Sequence, residues 1–92
     1  MVTVFKYPIK METGYTQLMS LPYGATILHV AIQADMLYLW AEVDTERAME
    51  DHMFRVYGTG EKHSPLEHHK YLGTVHDGAF AWHLYELFHK TV

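Results

Sequence analysis

Residues 25–44 read ATILHVAIQADMLYLWAEVD, and their spacing decides the fold. Leu28, Val30 and Ile32 alternate with His29, Ala31 and Gln33; then Leu37, Leu39, Ala41 and Val43 alternate with Tyr38, Trp40 and Glu42. Side chains of a strand point to opposite faces at every second residue, so this spelling gives an aliphatic stripe on one face and Tyr, Trp, His and Glu on the other. Two long strands, Ala25 to Ala34 and Met36 to Asp44, follow, with a hairpin at Ala34-Asp35 as the short connection.

The same grammar extends outward. Val2 to Tyr7 is a β-branched and aromatic run that Pro8 closes, and proline suits a sheet edge because it has no N–H for a ladder. Thr16 to Leu21 forms a short strand ended by the turn Leu21-Pro22-Tyr23-Gly24. Asp44 to Asp51 is a loop, and His52 to Tyr57 resumes the alternation with Phe54 and Val56 inward and Met53, Arg55 and Tyr57 outward. Gly58-Thr59-Gly60 stops it as a turn needing positive φ, and Glu61 to Glu67, with Pro65, is a surface loop. His69 to His76 is a further strand, followed by Asp77-Gly78, a strong hairpin signal. In the last segment Phe80, Trp82 and Leu84 alternate, while Phe80, Leu84, Leu87 and Phe88 also match helical spacing. The preceding turn and the aromatic density decide for a strand over Ala79 to Leu87. Six to seven short strands without a helix predict an all-β fold, a small antiparallel β-sandwich or partly closed barrel.

Composition bounds the function. Ninety-two residues make a single domain, 1–92, and 49% hydrophobic content makes it globular. A net charge of −4 with seven Lys and Arg cannot neutralise a phosphate backbone, so duplex nucleic acid is not expected as a partner. Glu42, Asp44, Glu46, Glu50 and Asp51 form a local acidic patch that reads as a solvated turn rather than a DNA mimic. Cysteine is absent, which excludes disulfides and thiolate chemistry and suits a reducing cytoplasm. No apolar stretch reaches the roughly 18 residues a membrane helix needs, so no membrane partner is expected.

Several pieces taken in order resemble a small accessory-protein family encoded in bacteriophage and prophage genomes. They are Val4-Phe5-Lys6-Tyr7-Pro8-Ile9, Leu21-Pro22-Tyr23-Gly24-Ala25 with Ile27-Leu28-His29-Val30 and Gln33, and Leu39-Trp40-Ala41-Glu42-Val43-Asp44. Val56-Tyr57-Gly58-Thr59-Gly60, Tyr71-Leu72-Gly73-Thr74 and a last stretch with His83 and Glu86 complete the set. The resemblance implies a phage protein working in the cytoplasm of an infected bacterium, and brings no catalytic residues with it.

If the strands holding residues 25–34, 36–44 and 52–57 are neighbours, His29, Gln33, Tyr38, Trp40, Arg55 and Tyr57 share one face. Aromatics and Arg accumulate at interface centres because they combine contact area with a polar handle. These six residues are the expected binding site, with a host bacterial protein of anti-phage defence as the target and self-association into a homo-oligomer as a further use of the face. The other possibility is that the sheet folds over and Tyr38 and Trp40 belong to a second core layer. An alternative function is a homo-oligomeric sponge for a nucleotide-type ligand, with aromatics stacking on the base and Arg55, Lys62 or histidines on phosphate.

A metal-assisted hydrolase is the third reading. His63, His68, His69 and His76 invite it, but adjacent His68-His69 on a strand point oppositely, and no His-Glu-x-x-His helix or Cys pair is present. Asp51-His52 and His76-Asp77 likewise diverge along a strand. The sequence therefore reads as non-enzymatic, with no cofactor and no metal.

Overall fold

The computed structural model describes residues 1–63 and 68–88. Seven strands follow one another: β1 (Val2–Ile9), β2 (Gln17–Pro22), β3 (Thr26–Gln33), β4 (Met36–Asp44), β5 (Met49–Gly58), β6 (His69–Asp77) and β7 (Phe80–Leu87). They form two antiparallel sheets, β1-β4-β3 (sheet A) and β2-β5-β7-β6 (sheet B). The sheets pack on each other as a small all-β sandwich, as expected from the alternation.

The turns explain the connections. Ala34 and Asp35 both have positive φ, 51° and 64°, the pattern of the type I′ turn whose twist matches a tight hairpin. At the β6–β7 hairpin, Asp77 pairs with Phe80 and so belongs to the ladder; the turn is Gly78-Ala79, with Gly78 at φ 59°. Pro8 does not close β1. The strand runs on to Ile9 with Pro8 opposite Tyr38, which β1 tolerates because it is an edge strand.

Ile9, Val30, Leu37, Leu39, Ala41 and Val43 of sheet A meet Leu21, Phe54, Val56, Val75 and Leu84 of sheet B in one buried cluster. The stripe on β3 departs from strict alternation. A bulge between Ile27 and His29 leaves Leu28 as the extra residue, 52% exposed, while Ile27 packs against the core. A bulge inserts one residue and so exchanges the faces on its two sides. A second bulge between Tyr71 and Gly73 on β6 lies at a close approach of the two sheets: a Cβ on Gly73 would overlap Val30 Cγ2.

Of the acidic patch only Glu46 lies in the turn: Glu42 and Asp44 belong to β4 and Glu50 and Asp51 to β5, which begins at Met49, inside the loop expected over Asp44 to Asp51. Asp44 accepts a 3.1 Å hydrogen bond from the Glu46 backbone N–H, and this bond, with Arg47 close by, holds its carboxyl below the ordinary range. The expected Glu61 to Glu67 loop falls partly outside the described residues, at 64–67. Among the described residues no helix is long and apolar enough to cross a membrane.

Candidate functional site

Pairing sends β5 into sheet B, so the six residues expected on one face divide between two. His29, Gln33, Tyr38 and Trp40 lie together on the outer face of sheet A, where His29 pairs with Trp40 and Gln33 with Met36. Arg55 and Tyr57 lie on the outer face of sheet B, on the far side of the core. The break occurs at Asp44 to Met49, where the chain crosses from one sheet to the other.

On sheet A, Tyr38 and Trp40 stand two residues apart on the central strand, their ring centroids 6.1 Å apart. Both are half-buried, and neither belongs to the core cluster. Lys6, from β1, passes over Tyr38 with Nζ 4.4 Å from the ring centroid and donates a 2.8 Å hydrogen bond to Gln33 Oε1 on β3. His29 packs on Trp40 at 5.7 Å. The result is an aromatic centre edged by polar groups, with exposed Val4 and Leu28 on the flanking strands.

On sheet B, the order β5-β7-β6 brings together residues far apart in sequence. Arg55, Tyr85 and Tyr71 stand side by side across the three strands, as do Tyr57, His83 and Thr74. Tyr57 is only 4% exposed: Tyr85 packs edge-on at 5.5 Å, His63 from the β5–β6 connection lies 4.3 Å away, and the Arg55 guanidinium carbon is 5.6 Å from its ring centroid. Burial raises the Tyr57 phenol. Tyr57 is thus sealed on the outer face of its sheet, under side chains and a loop, and not in the sandwich core.

His83 has both ring nitrogens engaged at 2.8 Å, Nε2 with Thr59 Oγ1 and Nδ1 with Thr74 Oγ1; Tyr71 OH extends the chain to Thr74 at 2.5 Å. These bonds tether the turn at Gly58-Thr59-Gly60 to β6 and β7. The turn closes through Glu61 N–H donating to Gly58 O at 3.1 Å, with Gly60 at φ 84°, as the positive-φ reading of this motif requires.

Beside this chain, Arg55, Tyr57, Lys62, His63, His69 and Leu87 line a cavity of about 370 Å³. Burial, reinforced by the charges of His63, Arg55 and His68, lowers the His69 imidazole below its ordinary range. A third polar group lies on the inner face of sheet B. Glu86, 7% exposed, meets His52 Nδ1 at 2.7 Å, while His52 Nε2 sits 2.9 Å from Glu50 Oε1 in poor hydrogen-bonding geometry.

His83, Tyr85, Tyr71 and Thr74 are not singled out as a site by the sequence, His69 enters there only in the metal reading, and the His52–Glu86 pair is not foreseen. Their convergence depends on strand order, which alternation does not encode. The sequence stretches Tyr71-Leu72-Gly73-Thr74 and the last one with His83 and Glu86 fall in these clusters and are the available signal. Among the described residues no group of three or more His, Cys, Asp or Glu is arranged to hold a metal ion.

The architecture defines a small all-β sandwich with an aromatic outer face on one sheet and a Tyr-His-Arg outer face on the other. Over residues 1–91 the chain matches the family model described as Domain of unknown function (DUF7352), and it belongs to that family. No curated protein and no solved structure matches it.

Proposed function

We propose that the chain is a non-enzymatic phage accessory protein that binds and inhibits a bacterial host protein, a component of anti-phage defence, through the outer face of sheet A. One observation carries the binding reading: Trp40 and Tyr38 sit half-exposed at the centre of that face, away from the core, ringed by Lys6, His29 and Gln33. A partially exposed tryptophan inside a polar rim is the make-up of an interface centre, where a few aromatic residues carry most of the affinity. The Lys6–Gln33 bond over Tyr38 is exposed, so a partner displaces it at small cost. The phage setting rests on the ordered motifs of the family resemblance, and action in the host cytoplasm on that setting together with the cysteine-free composition.

The test is affinity capture from extract of the infected host with the wild-type chain and with Trp40→Ala and Tyr38→Ala. A host polypeptide captured by the wild type, and bound by it after purification, should bind each variant about thirtyfold more weakly, the ~2 kcal/mol of an interface hot spot. His29→Ala, at an exposed position, gives a second readout free of folding effects. Equal binding by all three variants sinks the reading. If the only species captured is a second copy of the chain, the face serves self-association instead.

A further inference from the structure

We propose that the cavity on the outer face of sheet B is a binding site for a small phosphate-bearing ligand of nucleotide size, held by Arg55, Lys62 and His69. This site is separate from the sheet A face and independent of the partner proposed there.

The first observation is charge segregation. In a chain of net charge −4, the cavity is lined by Arg55, Lys62, His63 and His69, with Tyr57 and Leu87 completing it and no carboxylate among them. Among the described residues neither Arg55 nor Lys62 forms an ion pair or a hydrogen bond with another. Arg residues that are partly buried ordinarily meet a carboxylate or carbonyl, because a desolvated cation without a counter-charge is costly. Among the described residues that line the cavity, no counter-charge is present.

The second observation is a pair of orphaned donors. Arg55 Nε and His69 Nδ1 are both shielded from solvent and, among the described residues, have no hydrogen-bond partner. The His69 ring meets the Tyr57 hydroxyl through Nε2 at 3.4 Å. If Nε2 accepts there, the ring proton sits on Nδ1 and faces no acceptor. Two unsatisfied donors in one wall are a rare arrangement in a native structure and call for an acceptor from outside. A phosphate supplies several acceptor oxygens and the negative charge together, and guanidinium matches it geometrically.

Volume and surroundings select the rest of the ligand. About 370 Å³ lies within the ordinary range of small organic ligand sites, roughly 300–1,000 Å³, and exceeds what inorganic phosphate fills. Tyr85 and Tyr71, 5.4 Å apart, continue the aromatic surface from His69, and Tyr71 is 54% exposed, which leaves a ring face open to a planar base.

The experiment is calorimetric titration of the full chain with adenosine 5′-monophosphate, adenosine and inorganic phosphate. Adenosine 5′-monophosphate should bind at least about tenfold more tightly than adenosine, since the phosphate makes the charge-assisted bonds. Arg55→Gln and Lys62→Gln should each weaken it by about tenfold, and Lys62, exposed on the loop, tests the site without touching the fold. Trp40→Ala should leave this binding unchanged, which separates the site from the sheet A interface. No binding of adenosine 5′-monophosphate at millimolar concentration, equal binding of adenosine, or indifference to both Arg55→Gln and Lys62→Gln overturns the proposal.

Discussion

Gly73 shows what a single residue decides in this molecule. It sits at the β6 bulge facing Val30, and a methyl added there would occupy the space of Val30 Cγ2. Val30 is 8% exposed and β-branched, so it has little freedom to move aside. Gly73→Ala should therefore lower stability by ~1–3 kcal/mol, the usual effect of overpacking a tight contact, read as a shift in the urea midpoint. Val30→Ala creates a void of its own, yet the two changes are complementary. The double variant should be more stable than the sum of the two single losses, by about 0.5 kcal/mol or more. Strict additivity would show that the sheets do not meet at this pair. Sequence alone placed Gly73 in a strand within a family-like motif but not against Val30, because a contact between sheets leaves no local periodic trace.

At the scale of the element, alternation located the strands well and the faces almost everywhere. Each of the seven strands overlaps the segment the sequence assigns it, since turn residues and period-two spacing are local properties of the chain, but β1 runs past Pro8 to Ile9 and β5 begins at Met49 rather than His52. The departures are β3, where the bulge moves Leu28 out and Ile27 in, and β6, where strict alternation sets Tyr71 and Val75 on one face but the bulge between Tyr71 and Gly73 leaves Tyr71 outside and Val75 in the core. A strict reading expects Leu28→Thr to damage the core and Ile27→Thr to be mild; the structure reverses the order. Ile27→Thr should cost ~1–2 kcal/mol, and Leu28→Thr should stay within about 0.5 kcal/mol, both by urea denaturation. The larger gap between sequence and structure concerns neighbours. Arg55 and Tyr57 were grouped with Trp40 on the assumption that β5 follows β4 in one sheet, but the pairing partners of β5 are β2 and β7. Strand order is set by long-range packing of whole faces, so the two outer surfaces became distinguishable only once the ladders were known.

For the whole molecule, the two outer faces differ in charge. The outer face of sheet A carries Lys6, His29 and Glu42 among uncharged groups, whereas sheet B concentrates Arg55, Lys62, His63, His68 and His69 around one cavity or beside it. His69 is the member whose titration bears on folding. Burial first, then His63, Arg55 and His68, depress its pKa below the ordinary imidazole range, so the folded state resists the proton that the unfolded chain accepts. The stability this group contributes is therefore complete above about pH 6.5 and is lost as pH falls through its lower folded value. Between pH 7.5 and 5.5 the wild-type chain should lose more unfolding free energy than His69→Gln, which has no such proton to refuse. The two proteins differ at position 69 alone, so the difference between the two losses reports on His69. Anion binding adds a further term of the opposite sign: a phosphate group beside Arg55 favours the imidazolium, so saturating adenosine 5′-monophosphate should shrink the acid loss of the wild type toward that of the variant. Equal losses in wild type and His69→Gln, measured by urea denaturation at both pH values, would remove His69 from the account of acid stability.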